Sequence, residues 1–114
     1  MPTDNDDLRP AGTWYPMDSE ETDYVPVDFE DQLDTGETIS SVTTTCEAIE
    51  GTDASASSRL SGSPQTTGSA VRQFLTGVLA DVVYLVRFKA TTSTGRILVI
   101  AGKLPVVREG GEAA

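Results

Sequence analysis

Residues 83–106 carry the strictest pattern in the chain, and it leaves one backbone form open. Tyr84, Val86, Phe88 and Ala90 alternate with Leu85, Arg87 and Lys89. A period of two puts alternate side chains on opposite faces of a strand, which the 3.6-residue period of a helix cannot do. The small polar stretch TTSTG follows, with Gly95 supplying a permissive turn position, and an apolar run resumes at 97–101 with Leu104 and Val106 beyond it. This is a β-hairpin, with Gly102 read as a bulge or kink in its second strand.

The remainder reads as further strands with no helical pattern. Val25, Val27 and Phe29 alternate with Tyr24, Pro26 and Asp28; Pro26 cannot donate to a ladder, so this strand belongs at a sheet edge. A turn at DTGET, around Gly36, leads into TISSVTTTCEA, rich in β-branched residues, with Val42, Thr44 and Cys46 expected inward. Residues 50–69 are almost all small and polar; one short strand is expected at 56–60, with Gly62, Pro64 and Gly68 in loops. SAVRQFLTG gives another strand that buries either Ala70, Arg72 and Phe74 or Val71, Gln73 and Leu75. Six or seven strands at this spacing predict an all-β, Ig-like or fibronectin III-like antiparallel sandwich over residues 23–107, with a tail at 108–114. Tyr84 follows the LADV turn, where a tyrosine corner pins the crossing between sheets through a hydroxyl bonded to upstream backbone.

Composition narrows the chemistry. With no histidine in 114 residues there is no Cys–His pair, no Ser–His–Asp triad and no ordinary zinc set. The lone Cys46 forms no intrachain disulfide and reads as a small core residue. Paired carboxylates are the one catalytic chemistry left, but the acids cluster where no fixed separation can be held. An EF-hand register begun at Asp31 puts Gly36 at position 6 yet sets Leu33 at position 3 and Val42 at position 12, so it fails. No enzyme activity, cofactor or metal is expected, the lesser alternative being an inter-sheet or interface calcium site on the oxygen-rich DNDD and DFEDQLD stretches. No apolar run reaches the length that spans a bilayer, and the acidic opening MPTDNDDLRP is unlike an export signal.

The net charge of −10 is lopsided. Residues 1–37 hold twelve Asp and Glu against Arg9 alone, a net of −11, whereas residues 38–114 hold six acids and seven bases, a net of +1. Nucleic acid is a poor partner for such a chain, and a basic protein surface a good one. Residues 1–22, punctuated by Pro2, Pro10, Gly12 and Pro16, read as an extended acidic arm. Trp14, Tyr15 and Met17 are unusual in such a segment and are expected as anchors on a partner, with Asp18, Glu20, Glu21 and Asp23 meeting its basic residues. The competing expectation for Trp14 and Tyr15 is that they fold back onto their own domain.

Three stretches in order, YVPVDFEDQL at 24–33, TGETISSV at 35–42 and YLVRFKATTSTGR at 84–96, resemble the Ig-like fiber–tail adaptor proteins of tailed bacteriophages. The chain departs from their pattern at Phe29, where Trp is more usual, at Gln32, and at Thr44, often aromatic. The resemblance implies a non-enzymatic virion protein of the phage tail, made in the host cytoplasm, present in several copies around the tail axis. It would join a tail tube, nozzle or head–tail adaptor protein to tail fibers. Capsid decoration and a free Ig-like binding or adhesion module are the alternatives from other classes.

Overall fold

The computed structural model describes residues 12–14 and 16–108. Its strands are β1 (Gly12–Thr13), β2 (Met17–Asp18), β3 (Asp23–Asp28), β4 (Ile39–Glu50), β5 (Leu60–Thr67), β6 (Ala70–Leu75), β7 (Val83–Thr92) and β8 (Ile97–Val107). One sheet runs β1-β8-β7-β4, with β2 also on β8; the other runs β3-β6-β5. The long strands pair antiparallel and the arrangement is the Ig-like sandwich that the strand spacing predicts.

The inward residues follow the two-residue period. Tyr84, Val86, Phe88 and Ala90 of β7 are fully buried and share a core with Leu98, Ile100 and Leu104 of β8, with Val25, Val27, Val71 and Leu75 of the other sheet, and with Phe29 just past β3. Of the two faces left open for β6, the structure buries Val71, Gln73 and Leu75. Gln73 is a polar residue in an apolar core, and its amide is fully used. Its nitrogen donates to the carbonyls of Ser61, Gly62 and Phe74 at 3.0–3.2 Å, and its oxygen accepts from Thr44 Oγ1 at 2.7 Å. Thr44 thus ties one sheet to the other. β3 lies at a sheet edge, as Pro26 requires. The closing hairpin turns through Gly95 at φ +90°, with Thr92 N donating to Arg96 O at 2.8 Å and Gly95 N to Thr92 O at 3.0 Å.

Three expectations are corrected. The strand expected at 56–60 is a 3₁₀ turn (Ala56–Arg59), and the strand proper is β5, running through Gly62 and Pro64. A register shift between Ser61 and Gln65 absorbs both residues, and Gln73 bonds the carbonyls it frees. Gly102 is neither bulge nor kink: β7 and β8 stay in unbroken register through the Gly102–Val86 pair. Lastly, part of the segment assigned to the arm is strand. β1 and β2 pair parallel with β8, so among the described residues pairing with the sandwich is already present at Gly12.

The split of this first edge into two short strands has a cause in β8. Trp14 N donates to Lys103 O and Ser19 N to Val107 O, so the odd-numbered residues of β8 face this edge. Pro105 is among them and has no N–H to give, which interrupts the ladder between β1 and β2.

Candidate interaction surfaces

Between the two sheets, Trp14 and Met17 close the side of the sandwich. Met17 is 5% exposed and belongs to the core, so it is not the partner-facing anchor expected of it. The reason is position: β2 lies on β8 and turns Met17 inward beside Val106. Trp14 is half-buried, packs edge-on against Phe88 with centroids 6.5 Å apart, and donates Nε1–H to Pro26 O at 3.0 Å. That bond consumes a carbonyl on the free edge of β3. Tyr15, the third expected anchor, lies outside the described residues.

The acids expected at a partner gather at the turn between β2 and β3. Asp18 Oδ1 accepts from Glu20 N at 2.8 Å, Glu21 Oε1 from Asp18 N at 2.8 Å, and Asp23 Oδ1 from Tyr24 N at 2.7 Å. Three of the four carboxylates therefore shape the turn itself, while Glu20, Glu21 and Asp23 remain exposed. Beside them a groove of about 360 Å³ is lined by Trp14, Pro16, Met17, Tyr24 and Pro26, with Glu21 and Asp23 at its lip. Sequence reading missed a neighbouring stack on the outer face of the β3-β6-β5 sheet. Arg72 lies over the Tyr24 ring at 4.0 Å from its centroid, and Tyr24 meets Phe74 at 4.9 Å. The cross-strand pairing of Tyr24 with Phe74 and of Pro26 with Arg72 was the signal, readable only once the register is known.

Each end of the sandwich is closed by a carboxylate held by an arginine. At one end Tyr84 Oη accepts from Leu79 N at 2.9 Å and donates to Asp53 Oδ2 at 2.6 Å. Asp53 also takes Arg59 Nε at 2.8 Å, Arg59 Nη2 at 3.0 Å and Ser55 N at 2.9 Å. The guanidinium and then the phenol hold the Asp53 carboxyl well below the usual carboxylate range, while burial and that same carboxylate push the Tyr84 phenol up. Gly51 is required here: it sits at φ +80°, and a Cβ on it would lie 2.6 Å from Asp81 O. At the other end Glu37 accepts from Arg96 Nε at 3.0 Å, from Arg96 Nη2, from Thr94 Oγ1 at 2.6 Å and from Asp34 N at 2.8 Å. Arg96, then the Asp34 amide, lowers the Glu37 carboxyl far below its ordinary value. Phe29 is fully buried at this end, its N–H on Ser69 O at 2.9 Å. Cys46 is buried, and desolvation, aided by Asp53, pushes its thiol up to about 12, so it is no nucleophile at neutral pH.

Among the described residues no three His, Cys, Asp or Glu side chains come together as a metal site, and no helix is long and apolar enough to cross a membrane. The chemistry on display is that of surfaces and edges on a stiff sandwich, which defines an Ig-like structural module. A family model described as podophage GP4 fiber-tail adaptor protein gp77 matches residues 17–102. The match covers most of the chain, and the chain belongs to that family of phage virion structural proteins. No curated protein and no solved structure matches it.

Proposed function

We propose that this protein joins the phage tail tube or nozzle to tail fibers as a non-catalytic spacer, in several copies around the tail axis. The observation that carries the reading is the family match over residues 17–102. The surfaces support it. An ordered acidic turn (Asp18, Glu20, Glu21, Asp23) borders a groove floored by aromatic and proline residues, a combination suited to a basic, apolar-tipped segment of a tail protein. Trp14 serves that groove from its exposed side while anchoring the segment to its own domain. The buried carboxylate–arginine clamps at both ends suit a spacer that must hold two partners at a fixed distance.

The test is capture of tail and fiber proteins by the purified chain, comparing the full sequence with Glu20→Lys and with a chain that begins at residue 12. Glu20 offers its side chain to no intramolecular bond among the described residues, so its reversal leaves the turn intact. Loss of tail-protein capture in Glu20→Lys with an unchanged thermal midpoint is the expected result. Equal capture by all three chains would remove the acidic segment from the contact, and no capture of any virion protein would overturn the adaptor reading.

A further inference from the structure

The edges of the sandwich differ in how they are protected. β3 is guarded: Pro26 lacks an N–H, Tyr24 N is held by Asp23, and Pro26 O by Trp14. On β5, Pro64 and a register shift between Ser61 and Gln65 interrupt the strand. β4 has no such device in its middle. Residues 41–48 pair with β7 in unbroken register, with a shift only beyond each end, and the stretch SVTTTCEA holds no proline, glycine, lysine or arginine.

The outward groups of β4 follow from the ladder. Thr92 N donates to Arg96 O at 2.8 Å and Val106 N to Val82 O at 3.0 Å. Even-numbered residues of β7 therefore point their N–H and C=O groups at β8, and odd-numbered ones at β4. Opposite those odd residues lie Ser41, Thr43, Thr45 and Glu47. Val42, Thr44, Cys46 and Ala48 consequently aim their main-chain groups away from β7, where no described strand pairs with β4. Neither β5 nor the turn at 56–59 takes those groups, since no main-chain hydrogen bond joins either to β4. An open cavity of about 450 Å³ lies beside Cys46, Glu47 and Ala48 on this side. The residues that are not described are chain neighbours of β1, β2 and β8, at the far edge of the same sheet.

We infer that two copies of the chain pair antiparallel through β4, about a two-fold axis at Thr45, merging their larger sheets into one. An isologous contact has to be self-complementary, and this stretch is. With Thr45 on the axis, Thr44 lies opposite the partner's Cys46 and Val42 opposite the partner's Ala48, so every outward-facing residue meets another. Val42, Thr44 and Ala48 are half-buried, and the added strand completes their cover. Thr45 meets the partner's Thr45, a favourable cross-strand pair, and no like charges stand opposite. Thr43 lies opposite the partner's Glu47, and Lys89 is the neighbour of Thr43 in its own sheet. Lys89 and the partner's Glu47 are thus two strand spacings apart, about 10 Å, within the combined reach of their side chains. Both residues are exposed, and neither has an ion-pair partner among the described residues. Any extended segment could use the hydrogen bonds of this edge. The paired threonines and the two Lys89–Glu47 contacts are what a second copy adds. The acidic turn lies at the opposite edge, so the inference goes beyond the adaptor reading and does not depend on it.

Sedimentation equilibrium and amide hydrogen exchange of the full chain, over a concentration series, decide it. The expected result is a monomer–dimer equilibrium in which the amides of Val42, Thr44, Cys46 and Ala48 gain protection as the dimer forms. Cross-linking reads the register. The two copies of position 45 form a non-hydrogen-bonded pair with Cα atoms about 4.5 Å apart, so Thr45→Cys should give a disulfide-linked dimer under mild oxidation. Thr43→Cys, exposed on the same face but not opposite itself, should not, and the buried Cys46 is the unreactive background. Thr45→Lys sets two cations together at the axis and should weaken association about tenfold or more, with the circular dichroism of a folded chain retained. A chain that stays monomeric at millimolar concentration would overturn the inference. So would protection of these amides in a monomer independent of concentration, which would assign the edge to the chain's own residues. Equal cross-linking at positions 43 and 45, or association that Thr45→Lys leaves unchanged, would overturn it as well. Capture of tail proteins is read separately, so either reading can fail while the other stands.

Discussion

The two ends of the sandwich use the same device in different settings. At one, Asp53 is 2% exposed and its Arg59 partner 20%; at the other, Glu37 is 1% exposed and Arg96 42%. Both carboxylates take a bidentate guanidinium, a hydroxyl and a backbone amide. The difference lies in what the hydroxyl belongs to. Thr94 is part of a surface hairpin turn, whereas Tyr84 is the fully buried start of β7 and also receives Leu79 N. The Asp53 end therefore couples two loops to the core, and the Glu37 end ties two loops to each other. Fixing a loop by a carboxylate is inexpensive when its arginine can return to water. It becomes structural when that arginine cannot.

Asp53→Asn should have the largest effect, about 3 kcal/mol in urea unfolding, because it removes the charge opposite the largely buried Arg59 and replaces one of two acceptor oxygens with an NH2, leaving two of the four donors on Asp53 without an acceptor. Glu37→Gln should cost clearly less, since Arg96 is already part-solvated. An equal or larger loss in Glu37→Gln would break the comparison. Next in size, Tyr84→Phe should lower stability by about 1–3 kcal/mol. Its effect should fall well short of additive with Asp53→Asn, because the two share one network. A negligible change in midpoint for Tyr84→Phe would remove the hydroxyl from the stability of this end.

What could be read in the sequence follows how far each feature depends on distant residues. The inward face of β7 was legible, because the strict alternation from Tyr84 to Ala90 is a local property. So was the turn at Gly95, where only backbone freedom is at issue. Met17 was misread because β2 is two residues long, and two residues have no period. Asp53 was hidden in a polar stretch, since its burial depends on Tyr84, 31 residues away. Opposite charges six residues apart, Asp53 and Arg59, in the otherwise uncharged stretch 51–69 were the available hint. β5 was missed because Gly62 and Pro64 punctuate it, and the side chain that tolerates them, Gln73, comes from the next strand. An amide between Val71 and Leu75 on an inward face was the trace it left.

Acidification sharpens the comparison with a smaller effect. Both carboxyls are lowered in the folded chain, so each contributes stability that is present above the ordinary carboxylate range and is lost as pH falls through it toward the folded values. Stability should thus decline from about pH 5 downward. Asp53→Asn should flatten that decline, and Glu37→Gln should flatten it too. If neither variant changed the acid limb of a pH series of unfolding midpoints, the other exposed acids would be its source and the clamps would not.

The smallest effect is also the most local. Cys46 lines the same cavity as Gly51, Asp53 and Ala56, and its thiol, pushed up to about 12, is almost wholly protonated at pH 8. Alkylation of the native chain should therefore be slow and governed by opening of the Asp53 end. Because Arg59 and Tyr84 hold that end through Asp53, Asp53→Asn should accelerate labelling of Cys46 beyond what its loss of global stability accounts for. Glu37→Gln acts at the other end and should change labelling only in proportion to global stability. Equal acceleration by both variants would mean that the sandwich opens as one unit, and that its two clamps, although chemically alike and far apart, report a single cooperative transition.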